Sequence, residues 1–261
     1  MSSWQWAALA KPRTSSRILS TGSPFNWTTL HAISKSLSEH TRGPAVTHDG
    51  TYSESGQAAV LLPLVNINNK PAVLFQVRAN LRAHKGEVSF PGGKKDDDDK
   101  DLEETVKRET REEIGISSER LHLLSAFGPP EKSIAGTIVF PYAGFLSTSI
   151  LPTNINDSSP LANTLIEDLD INTAEVAMMF HLTLEELTDE RRLTRHNFRG
   201  RPPYWCVNVS DKVPEEYWTT PRVLPDEPSL EEGGVDRGRR LEIWGLTGWY
   251  LHLFMRTVGL W

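Results

Sequence analysis

The chain has 261 residues, one cysteine and a formal net charge of −6, with 38% hydrophobic and 24% charged residues. That length suits one domain with extensions, and a lone cysteine excludes an internal disulfide and fits a reducing compartment. The charge gives no global pull toward nucleic acid or an anionic membrane, and no run of about 18 apolar residues predicts a transmembrane helix.

Residues 1–24 carry Pro12, Pro24 and scattered serines and read as an irregular extension. Over the first fifty residues Lys11, Arg13, Arg17, Lys35 and Arg42 face only Glu39 and Asp49. A basic, serine-rich, acid-poor start has the composition of a mitochondrial transit peptide, or of a plain disordered terminus. The last three residues, Gly259-Leu260-Trp261, are not a peroxisomal address. The expected location is intracellular, mitochondrial or cytoplasmic.

Trp27, Leu30, Ile33 and Leu37 recur at helical spacing after Asn26, an N-cap residue, and predict an amphipathic helix. Ala58 to Val65 and Ala72 to Arg78 are rich in Val and Leu around a polar turn, and predict a β-hairpin. Leu81 to Val88 reads as a loop that ends in Ser89-Phe90. Leu102, Val106, Thr110 and Ile114 form one helical stripe able to face a sheet, and Gly115 closes that helix. Glu109, Glu112 and Glu113 are expected to fall away from the stripe.

Leu121 to Phe127 and Ile134 to Leu146 read as strands, with Pro141 and Gly144 expected to mark a bend, bulge or edge. Residues 147–172 are polar and expected as a surface insertion. Glu175 to Leu182 and Tyr204 to Val209 read as strands, and Leu184 to Leu187 as a short helical turn. Residues 211–238, rich in Pro, Glu and Gly, are expected as an exposed loop. Arg240 to Trp244 enters a last strand or turn, and Leu246 to Val258 reads as a C-terminal helix, with Trp244, Trp249, Phe254 and Met255 in the core. Cys206, between Trp205 and Val207, is expected to be buried.

The chemistry concentrates in FPGGKKDDDDKDLEETVKRETREEIGI, from Phe90 to Ile116. On a helix, Glu109, Glu112 and Glu113 stand at i, i+3 and i+4, where like charges repel. A solvated acidic face is one account. A hard divalent cation held by carboxylate oxygens is the other, and it can polarise a phosphoryl group and acidify a bound water. The glycine turn allows close approach to the backbone, and Arg108 is spaced to pair with Glu112. Together these features suggest hydrolysis of a phosphate ester or anhydride.

This stretch resembles the signature of the Nudix hydrolases: Gly, five residues, Glu, seven residues, then Arg-Glu-U-x-Glu-Glu-x-Gly-U, with U apolar. Gly93 opens it, and Arg108, Glu109, Glu112, Glu113, Gly115 and Ile116 match its second half, with Thr110 in place of an apolar residue. Asp99 replaces the first glutamate, and eight residues separate it from Arg108. That variation is similar to the coenzyme A diphosphatase branch. So are Arg78, Arg82, Gly86 and Phe90-Pro91-Gly92-Gly93 upstream, with one residue fewer between Ala79 and Arg82, and Ile243-Trp244-Gly245-Leu246-Thr247 downstream.

The resemblance implies an α/β Nudix fold, a mixed β-sheet sandwiched between helices in one domain over 25–261. It implies Mg2+ or Mn2+ held by Glu109, Glu112 and Glu113, with Glu112 as third ligand or base and Arg108 as its orienting partner. Arg78, Arg82, Gly92, Gly93 and Lys94 would meet substrate phosphates, for which guanidinium groups are suited. The substrate would be coenzyme A or an acyl derivative, cut to 4′-phosphopantetheine and adenosine 3′,5′-bisphosphate. Another nucleoside diphosphate derivative, or a nucleotide-binding module without catalysis, are the alternatives. Glu175 is a further carboxylate to place, against the simpler reading of a strand-edge charge.

Overall fold

The computed structural model describes residues 19–41, 56–79, 86–151, 158–197, 203–218 and 240–261. The first helix, α1 (Trp27–Thr41), starts where expected, with the Asn26 Oδ1 accepting from the Thr29 N–H at 2.8 Å. Its Leu30, Ile33 and Leu37 are fully buried.

The hairpin pairs β1 (Gln57–Ile67) with β2 (Lys70–Arg78), and both strands run longer than their apolar cores suggest. Asn68 and Asn69 turn the chain with φ of 50° and 57°, the conformation of a two-residue primed turn that asparagine tolerates. Away from this turn the two strands part. Into the gap run β3 (Val88–Ser89), paired with β2, and β4 (Gly92–Lys94), paired with β1. The glycine turn is therefore part of the sheet: the Leu61 N–H donates to the Pro91 carbonyl at 2.8 Å between the two pairings.

After helix α2 (Leu102–Ile114) the chain forms β5 (Leu121–Ala126), β6 (Glu131–Lys132) and β7 (Ile138–Leu146). β7 runs parallel to β1 and antiparallel to β5, which makes the sheet mixed. Pro141 thus sits in an interior strand rather than at an edge, and the register shift falls on β5 between Leu123 and Ser125. β8 (Val176–Thr183) adds to the other side of β2, and α3 (Leu184–Leu187) follows with a Thr183–Glu186 capping box.

The sheet separates two apolar clusters, as strand alternation requires. On one face Leu62, Leu64, Phe75 and Phe145 pack with α1 and with α4 (Gly245–Thr257). On the other, Ala59, Leu61, Leu74 and Val176 pack with Val106 and Ile114 of α2. This is the helix, sheet, helix sandwich expected from the sequence. A second sheet, β9 (Leu193–His196), β10 (Tyr204–Asn208) and β11 (Glu242–Ile243), carries α4 on an aromatic layer of Tyr204, Trp249 and His252. Cys206 lies fully buried in β10.

One expectation is corrected. The stretch expected as a surface insertion at 147–172 is packed down over its described C-terminal part. Leu161, Thr164 and Leu169 are buried, and the Asn66 side chain bridges Phe25 to Leu161 with bonds of 2.7–2.9 Å. Isolated apolar residues in a polar run gain their burial from these long-range backbone partners. Residues 219–239 of the second loop, and the N-terminal 1–18, lie outside the described residues.

Candidate active site

Helix α2 forms because its ends and one face are specified. The Asp101 side chain accepts from the Glu104 N–H, and Glu104 in turn accepts from the Lys100 N–H, each at 2.9 Å. Glu103 and Glu104 in the first turn favour the positive end of the helix dipole. Gly115 takes φ 71° and returns its N–H to Arg111. Thr110, which stands where an apolar residue is usual, is fully buried, and its hydroxyl donates to the Val106 carbonyl at 2.7 Å, so no polar group is orphaned.

The three glutamates do not share one environment. The Glu112 side chain is 48% exposed and that of Glu109 13%, whereas Glu113 is buried. Glu113 stands at i+7 from Val106 and i+3 from Thr110, so it belongs to the sheet-facing stripe and does not fall away from it. Its Oε2 accepts from the Gly92 N–H at 2.8 Å, and its Oε1 from the Gln76 amide at 3.2 Å. Burial raises the Glu113 carboxyl to about 7, against the opposing pull of those two donors. Burial also raises Glu109, and the nearby charges of Glu112 and Glu175 add to the rise.

Arg108 occupies the centre of the site. Its Nε and Nη2 grip Asp99 Oδ1 and Oδ2 at 3.0 and 2.9 Å. Nη1 reaches Glu109 Oε1 at 2.9 Å and Glu112 Oε2 at 3.0 Å, and Nη2 also donates to the Lys94 carbonyl at 2.9 Å. Each guanidinium N–H thus has a partner. The expected pairing with Glu112 is present, but the fork belongs to Asp99, whose carboxyl is held far below the usual range by the Arg108 hydrogen bonds. Asp99 is buried beside the loop, as a clamp on Arg108.

The two signature glycines are required for different reasons. A Cβ on Gly92, at φ 143°, would strike the Ala59 carbonyl and lie 2.7 Å from Val60 Cα. A Cβ on Gly93 would press on the Glu109 carboxylate, 2.6 Å from its Cδ. The Gly92 amide faces Glu113 of the same chain, and Lys94 is exposed at the end of β4.

Arg78 ends β2, and its Nε is buried without a hydrogen-bond partner among the described residues, while its charge is felt at Glu113. Arg82 falls outside the described residues. Glu175 precedes β8; its Oε1 accepts from the Asn172 amide at 3.2 Å and its carbonyl from the Ala79 N–H at 2.8 Å. The downstream Ile243-Trp244-Gly245-Leu246-Thr247 joins β11 to α4. There Gly245, at φ 62°, donates to the Tyr204 hydroxyl at 2.8 Å, and a Cβ on Gly248 would come within 2.9 Å of the Ile243 carbonyl.

Among the described residues no three carboxylate, imidazole or thiolate groups already stand together as a cation site. Glu112 is drawn to Arg108, and Glu113 to Gly92 and Gln76. The donor set nevertheless fits a hard divalent ion. It offers oxygen ligands only, Glu109 and Glu113 are desolvated carboxyls that repel each other's charge, and Gly93 sets no side chain of its own against the Glu109 oxygens. Two features were missed in the sequence. Gln76 interrupts an apolar strand, the one signal that could have found it, and Asp99 was expected in the loop without its fork to Arg108.

Several known proteins are similar to this chain in part. The NUDIX domain family model matches residues 56–160. Nudix hydrolase 3 of Caenorhabditis elegans is 29% identical over 80% of this chain and 77% of its own length. The mitochondrial coenzyme A diphosphatase NUDT8 of Mus musculus is 43% identical over 33% of this chain and 42% of its own. The Nudix hydrolase NudL of Yersinia pestis is 36% identical over 54% and 62%. For the last two, therefore, the matched region is less than two thirds of the relative. Among solved structures, a C. elegans Ap4A hydrolase aligns over 49% of this chain and 81% of its own at 20% identity, with a TM-score of 0.34.

Proposed function

We propose that this chain, which carries a Nudix domain, is a metal-dependent hydrolase of the diphosphate in coenzyme A or its derivatives. The observation that supports this most is the Arg108–Asp99 fork. The residue by which the signature departs from the general pattern is built into the site, and the departure is the one by which the sequence resembles the coenzyme A diphosphatases. The match to the mouse coenzyme A diphosphatase points to the same substrate.

In the reaction a water oxygen bonds to one phosphorus, the bridging P–O bond breaks, and two phosphate monoesters leave. Glu109 and Glu113, with Glu112 as third ligand, would hold Mg2+ or Mn2+, which supplies charge neutralisation at the phosphate oxygens and an acidified water. Arg108 restrains Glu109 and Glu112 through Nη1 and fixes itself through Asp99. If Glu112 is instead the base, it takes the water proton, and its exposure leaves it free to pass that proton to solvent. Arg78, Arg82 and Lys94, with the Gly92–Gly93 turn, would meet the phosphates of the substrate.

Purified protein incubated with Mn2+ or Mg2+ and coenzyme A should yield 4′-phosphopantetheine and adenosine 3′,5′-bisphosphate by chromatography. Glu112→Gln should remove most of the rate. Fast cleavage of another nucleoside diphosphate derivative with coenzyme A left intact would reject the substrate. No turnover of any diphosphate with either metal would favour a binding module.

A further inference from the structure

We propose that Gln76 is a positioning residue for Glu113, its buried amide fixing the carboxylate in the orientation from which it meets a divalent cation. The inference rests on the reading of Glu113 as a metal ligand given above. Gln76 lies in the middle of β2 and is fully buried, as are its neighbours Leu74, Phe75 and Val77. Phe75 and Val77 point to the α1 and α4 side of the sheet. Alternation therefore turns Gln76 toward α2, where its Nε2 donates to Glu113 Oε1 at 3.2 Å.

The other carboxylate oxygen takes the Gly92 N–H at 2.8 Å. The two donors come from different segments, β2 and the start of β4, and grip different oxygens. The carboxylate can then neither rotate nor swing without losing one of them. An ionised carboxylate only accepts, so the amide must present its nitrogen. That leaves Gln76 Oε1 buried with no hydrogen-bond partner among the described residues. Ser89, its register partner across β3, has its Oγ in the same condition.

An orphaned buried carbonyl is costly, and a methionine or leucine of similar volume would suit a strand lined by apolar residues better. The fold alone thus gives no reason for an amide here. The orientation of Glu113 does, in the way that groups behind a metal ligand set its geometry.

The test measures Mn2+ binding by calorimetry and electron paramagnetic resonance for the full chain and for Gln76→Met, Gln76→Leu and Glu113→Gln, alongside Tm and hydrolysis at varied Mn2+. Both Gln76 variants are expected to keep or raise Tm, to weaken Mn2+ binding by roughly ten- to a hundredfold, and to recover kcat at saturating Mn2+. Unchanged Mn2+ affinity in both, with affinity reduced in Glu113→Gln, would reject the role of Gln76 and leave Glu113 as a ligand. Unchanged affinity in Glu113→Gln as well would remove Glu113 from the ligand set, and this inference with it. Loss of the fold in both Gln76 variants would also overturn it, since the amide would then serve the fold itself.

Discussion

Asp99 and Arg108 meet in a two-pronged fork, with Nε to Oδ1 at 3.0 Å and Nη2 to Oδ2 at 2.9 Å, while the remaining guanidinium nitrogen holds Glu109 and Glu112. Replacing Asp99 by Asn keeps the shape and removes the charge. Hydrogen bonds to charged groups contribute about 1.5–3 kcal/mol, so Asp99→Asn should lower unfolding stability by about 2 kcal/mol and lower kcat. Because the folded Asp99 carboxyl titrates well below its ordinary value, the wild-type advantage is full above the unfolded Asp range and fades as pH falls toward the folded value. Denaturant melts of both proteins from pH 7 downward check this; an advantage independent of pH would contradict it.

Glu113 carries the opposite sign. Its folded value, about 7, lies above the unfolded 4.5, so the folded state holds the proton more tightly. Stability relative to Glu113→Gln should therefore fall as pH rises from about 4.5 to about 7, by about 2–3 kcal/mol at 1.4 kcal/mol per unit. The measurement is the difference between the two stability curves without divalent ions. A flat difference would mean that burial is not what governs this carboxyl.

His252 should act on the acid side. It is buried between Trp249 and Trp261, its Nδ1 accepts from the Trp205 N–H at 3.4 Å, and burial lowers it to about 4. Stability is thus lost as pH drops from 6.5 toward 4, by up to about 3 kcal/mol. His252→Phe should remove that slope, as read from Tm against pH.

The adjacent glycines should fail differently. Gly92→Ala drives a Cβ into the Ala59 and Val60 backbone at a φ of 143°, and should reduce stability and soluble yield. Gly93→Ala displaces only the Glu109 carboxylate, so it should keep its Tm while losing activity by about 100-fold, the usual cost of about 1 Å of misplacement. Circular-dichroism melts set beside initial rates separate the two cases.

Helix α2 was legible because its stripe and closing glycine agree from Leu102 to Gly115. The division among its glutamates was not, because spacing places Glu113 at the stripe's border, and Gln76 and Gly92, both distant in sequence, draw it in. β9 was missed for a related reason: Leu193 to His196 is short and polar, and its strand character comes from pairing with Tyr204 to Val207. The packed part of 158–172 depends likewise on Phe25 and Asn66, which no local pattern announces.

The wedge of β3 and β4 between β1 and β2 anchors the glycines through the sheet, while Asp101 begins α2 independently. Residues 95–100 join these two fixed points, and Asp99 reaches Arg108 from within that link by its side chain. A change of length in this link would therefore have to keep the buried Asp99 on Arg108, or the guanidinium that holds Glu109 and Glu112 would lose its clamp.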